Sequence, residues 1–185
     1  MRVFNLRDIL LKIIESKYNE LNKYKQSGIF DKIQYFEGNA IGQIGEKFIK
    51  EIFIYNNIPF DNVEKETIHD EFDLLSNGKK IEIKTARKGL KNNTFQFNGI
   101  NPKYNYDYII LLGITYDDVY YHIVDKKQDY IYNHSLRKEF IKINNKDKQL
   151  VQMNPGNSVN YKLTLSINDL KNIDSLIDDI QIFKI

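Results

Sequence analysis

Cysteine and tryptophan are absent from this sequence, and histidine occurs three times, at His69, His122 and His134. Without cysteine there are no disulfides, no thiolate zinc centre and no cysteine nucleophile. The histidines are scattered and show no HxxxH-type ligand spacing, so neither a zinc enzyme nor a histidine-dependent triad is expected. Only three prolines and nine glycines punctuate the chain, and no linker, repeat or low-complexity segment interrupts it. Long apolar runs are missing too. The longest, over residues 108–112, is strand-sized, where a membrane helix needs about 18 residues. Residues 1–5 lead into a charged helical pattern and not into an apolar signal segment, so a cytoplasmic protein with no membrane partner is expected. Chemistry then falls to carboxylates, lysines and a hard, oxygen-loving metal ion.

What is present has the composition of a globular protein, 42% hydrophobic and 28% charged over 185 residues, enough to bury a sizeable core. A single domain over 1–185 is expected, with a helical extension at 1–38, a core at 39–125 and a helix–strand–helix end at 126–185. Residues 5–25 read as an amphipathic helix whose apolar face carries Leu6, Ile9, Leu10, Ile13, Ile14, Leu21 and Tyr24. A second helix is expected over 39–55, capped by Asn39, with a stripe of Ile41, Ile44, Phe48, Ile52 and Phe53. Strands follow at 71–75, 80–86, 106–114 and 119–124, a helix at 128–143, a strand at 159–167 after the Asn154-Pro155-Gly156-Asn157 turn, and a closing helix at 169–180. This order predicts an α/β or α+β sandwich around one central sheet.

The net charge of +2 hides a strong polarity along the chain. Residues 51–78 carry seven acids against Lys65, and residues 79–103 carry seven bases against Glu82. A second basic stretch covers 126–148. Clustered base is the footprint of a polyanion partner, or else a solvated lysine face. The chemistry-bearing residues lie where the two blocks meet. Asn77-Gly78 predicts a two-residue type I′ turn, which pairs Leu74 with Ile81, Asp73 with Glu82, and Glu71 with Lys84. Phe72, Leu74, Ile81 and Ile83 then share one face, while Asp73, Glu82 and Lys84 share the other. A polar solvated face with a Glu71–Lys84 ion pair satisfies this pattern. So does a divalent cation between two carboxylates, with an ammonium beside it for water or phosphate. The apolar strands that follow suggest a sheet covered on both sides, where paired carboxylates need a partner.

Asp73-x8-Glu82-Ile83-Lys84 on adjacent strands resembles the signature of the PD-(D/E)xK nuclease superfamily, which includes most type II restriction endonucleases. The name's proline is replaced by Phe72. Gly42-Gln43-Ile44-Gly45-Glu46 resembles the acidic helix motif that precedes that site, and Phe95–Ile100 with Asp107–Ile114 resembles the segment after its lysine. The resemblance covers 39–125, the catalytic core on this reading. It implies an α/β restriction endonuclease-like core, a central mixed β-sheet flanked by helices. It implies Mg²⁺-dependent hydrolysis of DNA phosphodiesters, with one or two ions and Mn²⁺ as a substitute. Asp73, Glu82 and the Ile83 carbonyl would hold the metal, Glu46 would bind through water or steady a second ion, and Lys84 would orient or activate the water. Arg87, Lys88, Lys91, Gln96 and Lys103 would contact double-stranded DNA. One site cuts one strand, so the expected partner is a second copy or a larger DNA-recognition or nicking subunit. A repair or junction-resolving nuclease of the same fold, and a non-catalytic DNA- or partner-binding module, are the alternatives.

Overall fold

The computed structural model describes residues 6–25, 27–62, 71–154 and 160–184. The first half runs α1 (Leu6–Asn22), a 3-10 turn (Asp31–Tyr35), α2 (Gly38–Tyr55), β1 (Asp61–Asn62), β2 (Leu74–Ser76), β3 (Lys79–Arg87), β4 (Thr94–Ile100), β5 (Tyr108–Ile114) and β6 (Val119–Asp125). The second half runs α3 (Lys126–Asp129), β7 (Tyr130–Asn133), β8 (Lys138–Ile143), β9 (Lys146–Gln149), β10 (Val151–Gln152), β11 (Tyr161–Ser166), β12 (Lys171–Asn172) and α4 (Leu176–Asp179). Residues 63–70 of the acidic block, with His69, and 155–157 of the expected turn lie outside the described residues.

Asn77 and Gly78 both take left-handed backbone, φ 47° and 77°, and close the β2–β3 hairpin in the predicted register, Leu74 opposite Ile81 and Ser76 opposite Lys79. β3 then runs parallel to β5, which is antiparallel to β6, inside a six-stranded mixed sheet ordered β1-β2-β3-β5-β6-β12. β5 is central, and Ile109 to Leu112 are at most 1% exposed because both faces of the sheet are covered. On one face Ile81, Ile83, Ile110, Leu112 and Tyr121 meet Ile49 and Phe53 of α2, with Leu176, Ile180 and Phe183 from the C-terminal turns. On the other face Ile109, Leu111 and Val124 meet Phe95 and Phe97 of β4 and Leu163 and Leu165 of β11. That second cover is a three-stranded sheet, β10-β11-β4. The class is α/β with a mixed central sheet, as expected. Its two covers differ, α2 with the C-terminal turns on one side and a small sheet on the other, where a sheet flanked by helices was predicted.

Several elements depart from the sequence reading. α2 is preceded by Glu37, not capped by Asn39, and no side chain caps it. Its buried row is Ile41, Gly45, Ile49 and Phe53, while Ile44 and Phe48 are each 37% exposed. Gly45 turns the helix this way, because the close approach to β3 leaves room for no side chain there. A Cβ on Gly45 would lie 1.8 Å from Thr85 Oγ1. The helix predicted over 128–143 is α3 followed by the β7–β8 hairpin, and the closing helix over 169–180 is β12, a 3-10 turn and the four-residue α4. The expected helix–strand–helix end is therefore largely strand. α1 forms as predicted, but Leu10, Leu11, Ile13 and Ile14 on it are all more than half exposed. The Leu6 and Ile9 side chains lie outside the described residues.

Candidate functional site

β2 begins at Leu74, not at Glu71, and the irregularity just before it builds the site. The Asp73 backbone N–H donates to the Ile81 carbonyl at 2.9 Å, which replaces the expected Asp73–Glu82 rung. Its carboxylate then crosses to β3 and accepts the Ile83 N–H on Oδ2 at 2.7 Å. The same shift turns Phe72 to the opposite core from Leu74, Ile81 and Ile83, a departure from the four-residue face predicted. Glu71, predicted opposite Lys84, accepts the Asn105 N–H at 2.9 Å.

Three of the predicted site side chains come together. Asp73 and Glu82 are 4% and 8% exposed, and their carboxyl groups lie within hydrogen-bonding reach of each other. The Lys84 ammonium forms a close ion pair with Glu82 Oε1. Burial is the main force raising the Glu82 carboxyl to about 7; the Lys84 charge opposes it and the Asp73 charge adds to it. Tyr106, which nothing in the sequence singled out, is buried beside this group. Burial, and after it the Glu82 charge, raises its phenol above the ordinary range. The Lys126 ammonium lies 4.6 Å from the centre of the Tyr106 ring and donates to the Tyr104 carbonyl at 2.5 Å.

Ile83 and Lys84 also line a cleft of about 760 Å³ between the first turns of α2, the second half of β3 and the polar side of β4. Glu46 enters that cleft from α2, as predicted. It does not complete a three-acid centre, since among the described residues no three His, Cys, Asp or Glu side chains are grouped to hold a metal ion. The donor set is two carboxylates with the neighbouring Ile83 carbonyl. All are hard oxygen donors, and the two carboxylates lie together and buried, so they fit a hard divalent cation completed by water.

The predicted DNA contacts scatter. Gln96 is exposed on β4, lines the cleft and donates to Asn98 Oδ1 at 3.0 Å. Arg87 lines the cleft too, but its guanidinium donates to the Ile33 and Gln34 carbonyls and ties down the 3-10 turn. Lys88 lies 5.7 Å over the Tyr116 ring. Lys91 pairs with Glu20 at 3.1 Å and sits over Tyr24, which docks α1. Lys103 is exposed in the loop after β4, outside the cleft lining. Compared with known proteins, the chain matches no family model and no curated sequence significantly.

Proposed function

We propose that this chain is a metal-dependent nuclease that hydrolyses DNA phosphodiester bonds, built on a restriction endonuclease-like core. The observation that carries this reading is the buried Asp73–Glu82 carboxylate pair, behind Ile83 and Lys84 of an open cleft wall, with the Lys84 ammonium paired to Glu82. Two anions in contact away from water are costly unless a cation joins them. Asp73, Glu82 and the Ile83 carbonyl would hold Mg²⁺, or Mn²⁺ in its place. A bound divalent ion supplies Lewis-acid polarisation of the phosphate and lowers the pKa of water. Lys84, two residues along β3, aims its ammonium at the same place. There it holds the attacking water or a phosphate oxygen and offsets the negative charge that builds on the phosphoryl oxygens. Glu46, across the cleft, orders water on the approach side. One such centre cuts one strand, so a double-strand break needs a second centre from another copy or from a larger partner subunit.

Lys84 and Lys88 give the test. Lys84→Ala should slow single-turnover cleavage in Mg²⁺ about 100-fold or more, the usual loss for one charge-stabilising group. Equilibrium DNA binding in Ca²⁺ should change far less, because one lysine is one phosphate contact among several. Lys88→Ala should weaken binding and its salt dependence while saturated turnover stays within a few-fold. Cleavage by Lys84→Ala at the parental rate would overturn the proposal.

A further inference from the structure

β4 and β11 form an antiparallel ribbon with two unlike faces. Phe95, Phe97, Leu163 and Leu165 point into the core and are at most 1% exposed. The other face carries Thr94, Gln96 and Asn98 on β4, and on β11 Lys162, Thr164 opposite Gln96, and, opposite Thr94, Ser166, whose hydroxyl donates to Asp169. No charged residue occurs anywhere in β4, in a chain that is 28% charged. β9 differs, with Lys146 and Asp147 exposed on it. Lys162 is the one charge on this face; the amides and hydroxyls beside it are poor counterions for phosphate and a good match for base edges, which are uncharged and display donors beside acceptors.

The position of this face is as informative as its chemistry. Gly99 has φ 73°, and a Cβ built on it would lie 3.7 Å from Lys84 Nζ. The amide row therefore ends against the ammonium of the proposed catalytic centre. Gln96, Asn98 and Lys84 line one continuous cleft. In the same cleft Asn160 Oδ1 is buried with no hydrogen-bond partner among the described residues. Gln96 Nε2 already donates to Asn98 Oδ1, which pre-orders the two amides and leaves the Gln96 carbonyl and the Asn98 amino group for a ligand.

We propose that the polar face of the β4–β11 ribbon reads base edges in the major groove of double-stranded DNA, beside the phosphate that is cut. The inference rests on the nuclease reading above and names its substrate class and its reading element. A two-stranded ribbon fits a major groove about 12 Å wide, and asparagine and glutamine pair with adenine through N6 and N7. Strand residues and stacked base pairs both advance about 3.4 Å, so Gln96, three residues before Gly99, reaches about three base pairs from the cut. Gln96 and Asn98 then set preference at one or two positions there, each by about 10- to 100-fold.

The experiment uses the full chain and a pool of duplexes with randomised sequence, cut in Mg²⁺ or Mn²⁺, with the cut ends sequenced. The parent should show a preference within about three base pairs of the cut. Gln96→Ala and Asn98→Ala, whose side chains are exposed and leave the core intact, should flatten it by the same 10- to 100-fold. A preference unchanged in both variants, or no preference in the parent, overturns the proposal. If the parent cuts nothing, the nuclease reading has failed, and selection of bound duplexes in Ca²⁺ decides the ribbon separately. A motif enriched by the parent and lost in both variants supports it. No enriched motif, or equal competition by single-stranded DNA or RNA, overturns it.

Discussion

Glu82 carries the most chemical information of any residue in the chain. Its carboxyl is raised from 4.5 to about 7, chiefly by burial. A group whose folded pKa lies above its unfolded value binds more protons in the folded state, so its ionisation weakens the fold as pH rises through that window. In the absence of divalent cations the thermal midpoint should therefore fall between about pH 5 and pH 8, by several degrees, since each pKa unit is about 1.4 kcal/mol. Glu82→Gln should flatten that dependence and melt higher than the parent at pH 8. Thermal denaturation in EDTA checks this, and an unchanged slope in Glu82→Gln would contradict the burial account. Asp73, Glu82 and Lys84 were legible in the sequence because Asn77-Gly78 fixes the register on which their convergence depends. The rung at Asp73 was not legible, since an irregularity one residue before a strand leaves no mark on alternation. Arg87 shows another limit. A guanidinium bonds carbonyls as readily as phosphates, and only the fold places the Ile33 and Gln34 carbonyls in its reach.

Among the elements, α2 and its glycines test the helix-on-sheet contact. Gly45 lies against Thr85, whereas a Cβ on Gly42 would meet nothing within 4 Å. Gly45→Ala should destabilise by about 1–3 kcal/mol through overpacking, and Gly42→Ala should stabilise by up to about 1 kcal/mol through helix propensity. Urea denaturation of the pair checks the contrast, and equal effects would contradict the packing described. The motif Gly42-Gln43-Ile44-Gly45-Glu46 holds two glycines, and only the fold shows that Gly45 makes the close approach. The 128–143 region was misread for a physical reason. Ile131, Leu136, Phe140 and Ile141 can be placed on a helical period, yet the aromatic and β-branched pairs Tyr130–Ile131 and Phe140–Ile141 favour strands. The usable signal was Asn144-Asn145, whose backbones are both left-handed, φ 50° and 62°, and close the β8–β9 hairpin as Asn77-Gly78 closes β2–β3.

For the whole molecule, the mixed sheet is what brings chemistry and recognition together. β3 carries Glu82 and Lys84 at the place where α2 covers one face and the β4–β11 sheet covers the other, so the cleft opens between the two layers. The central strands were legible from their apolar runs. The second sheet was not, because pairings such as Tyr161 with Ile100 join strands far apart in the chain and leave no local pattern. The charge blocks meet at the β2–β3 turn, but part of the base serves the fold itself, as Arg87 and Lys91 do by holding the N-terminal region. The central claim is that Asp73, Glu82 and Lys84 form a metal-dependent phosphodiester-cleaving centre. A single centre is enough to nick, so the most direct measurement follows supercoiled plasmid with the parent and Asp73→Asn, in Mg²⁺, in Mn²⁺ and in EDTA. The account predicts open-circular product from the parent only with a divalent ion, and a loss of about 100-fold or more in Asp73→Asn. No nicking by the parent under either metal, or equal nicking by the parent and Asp73→Asn, would contradict it.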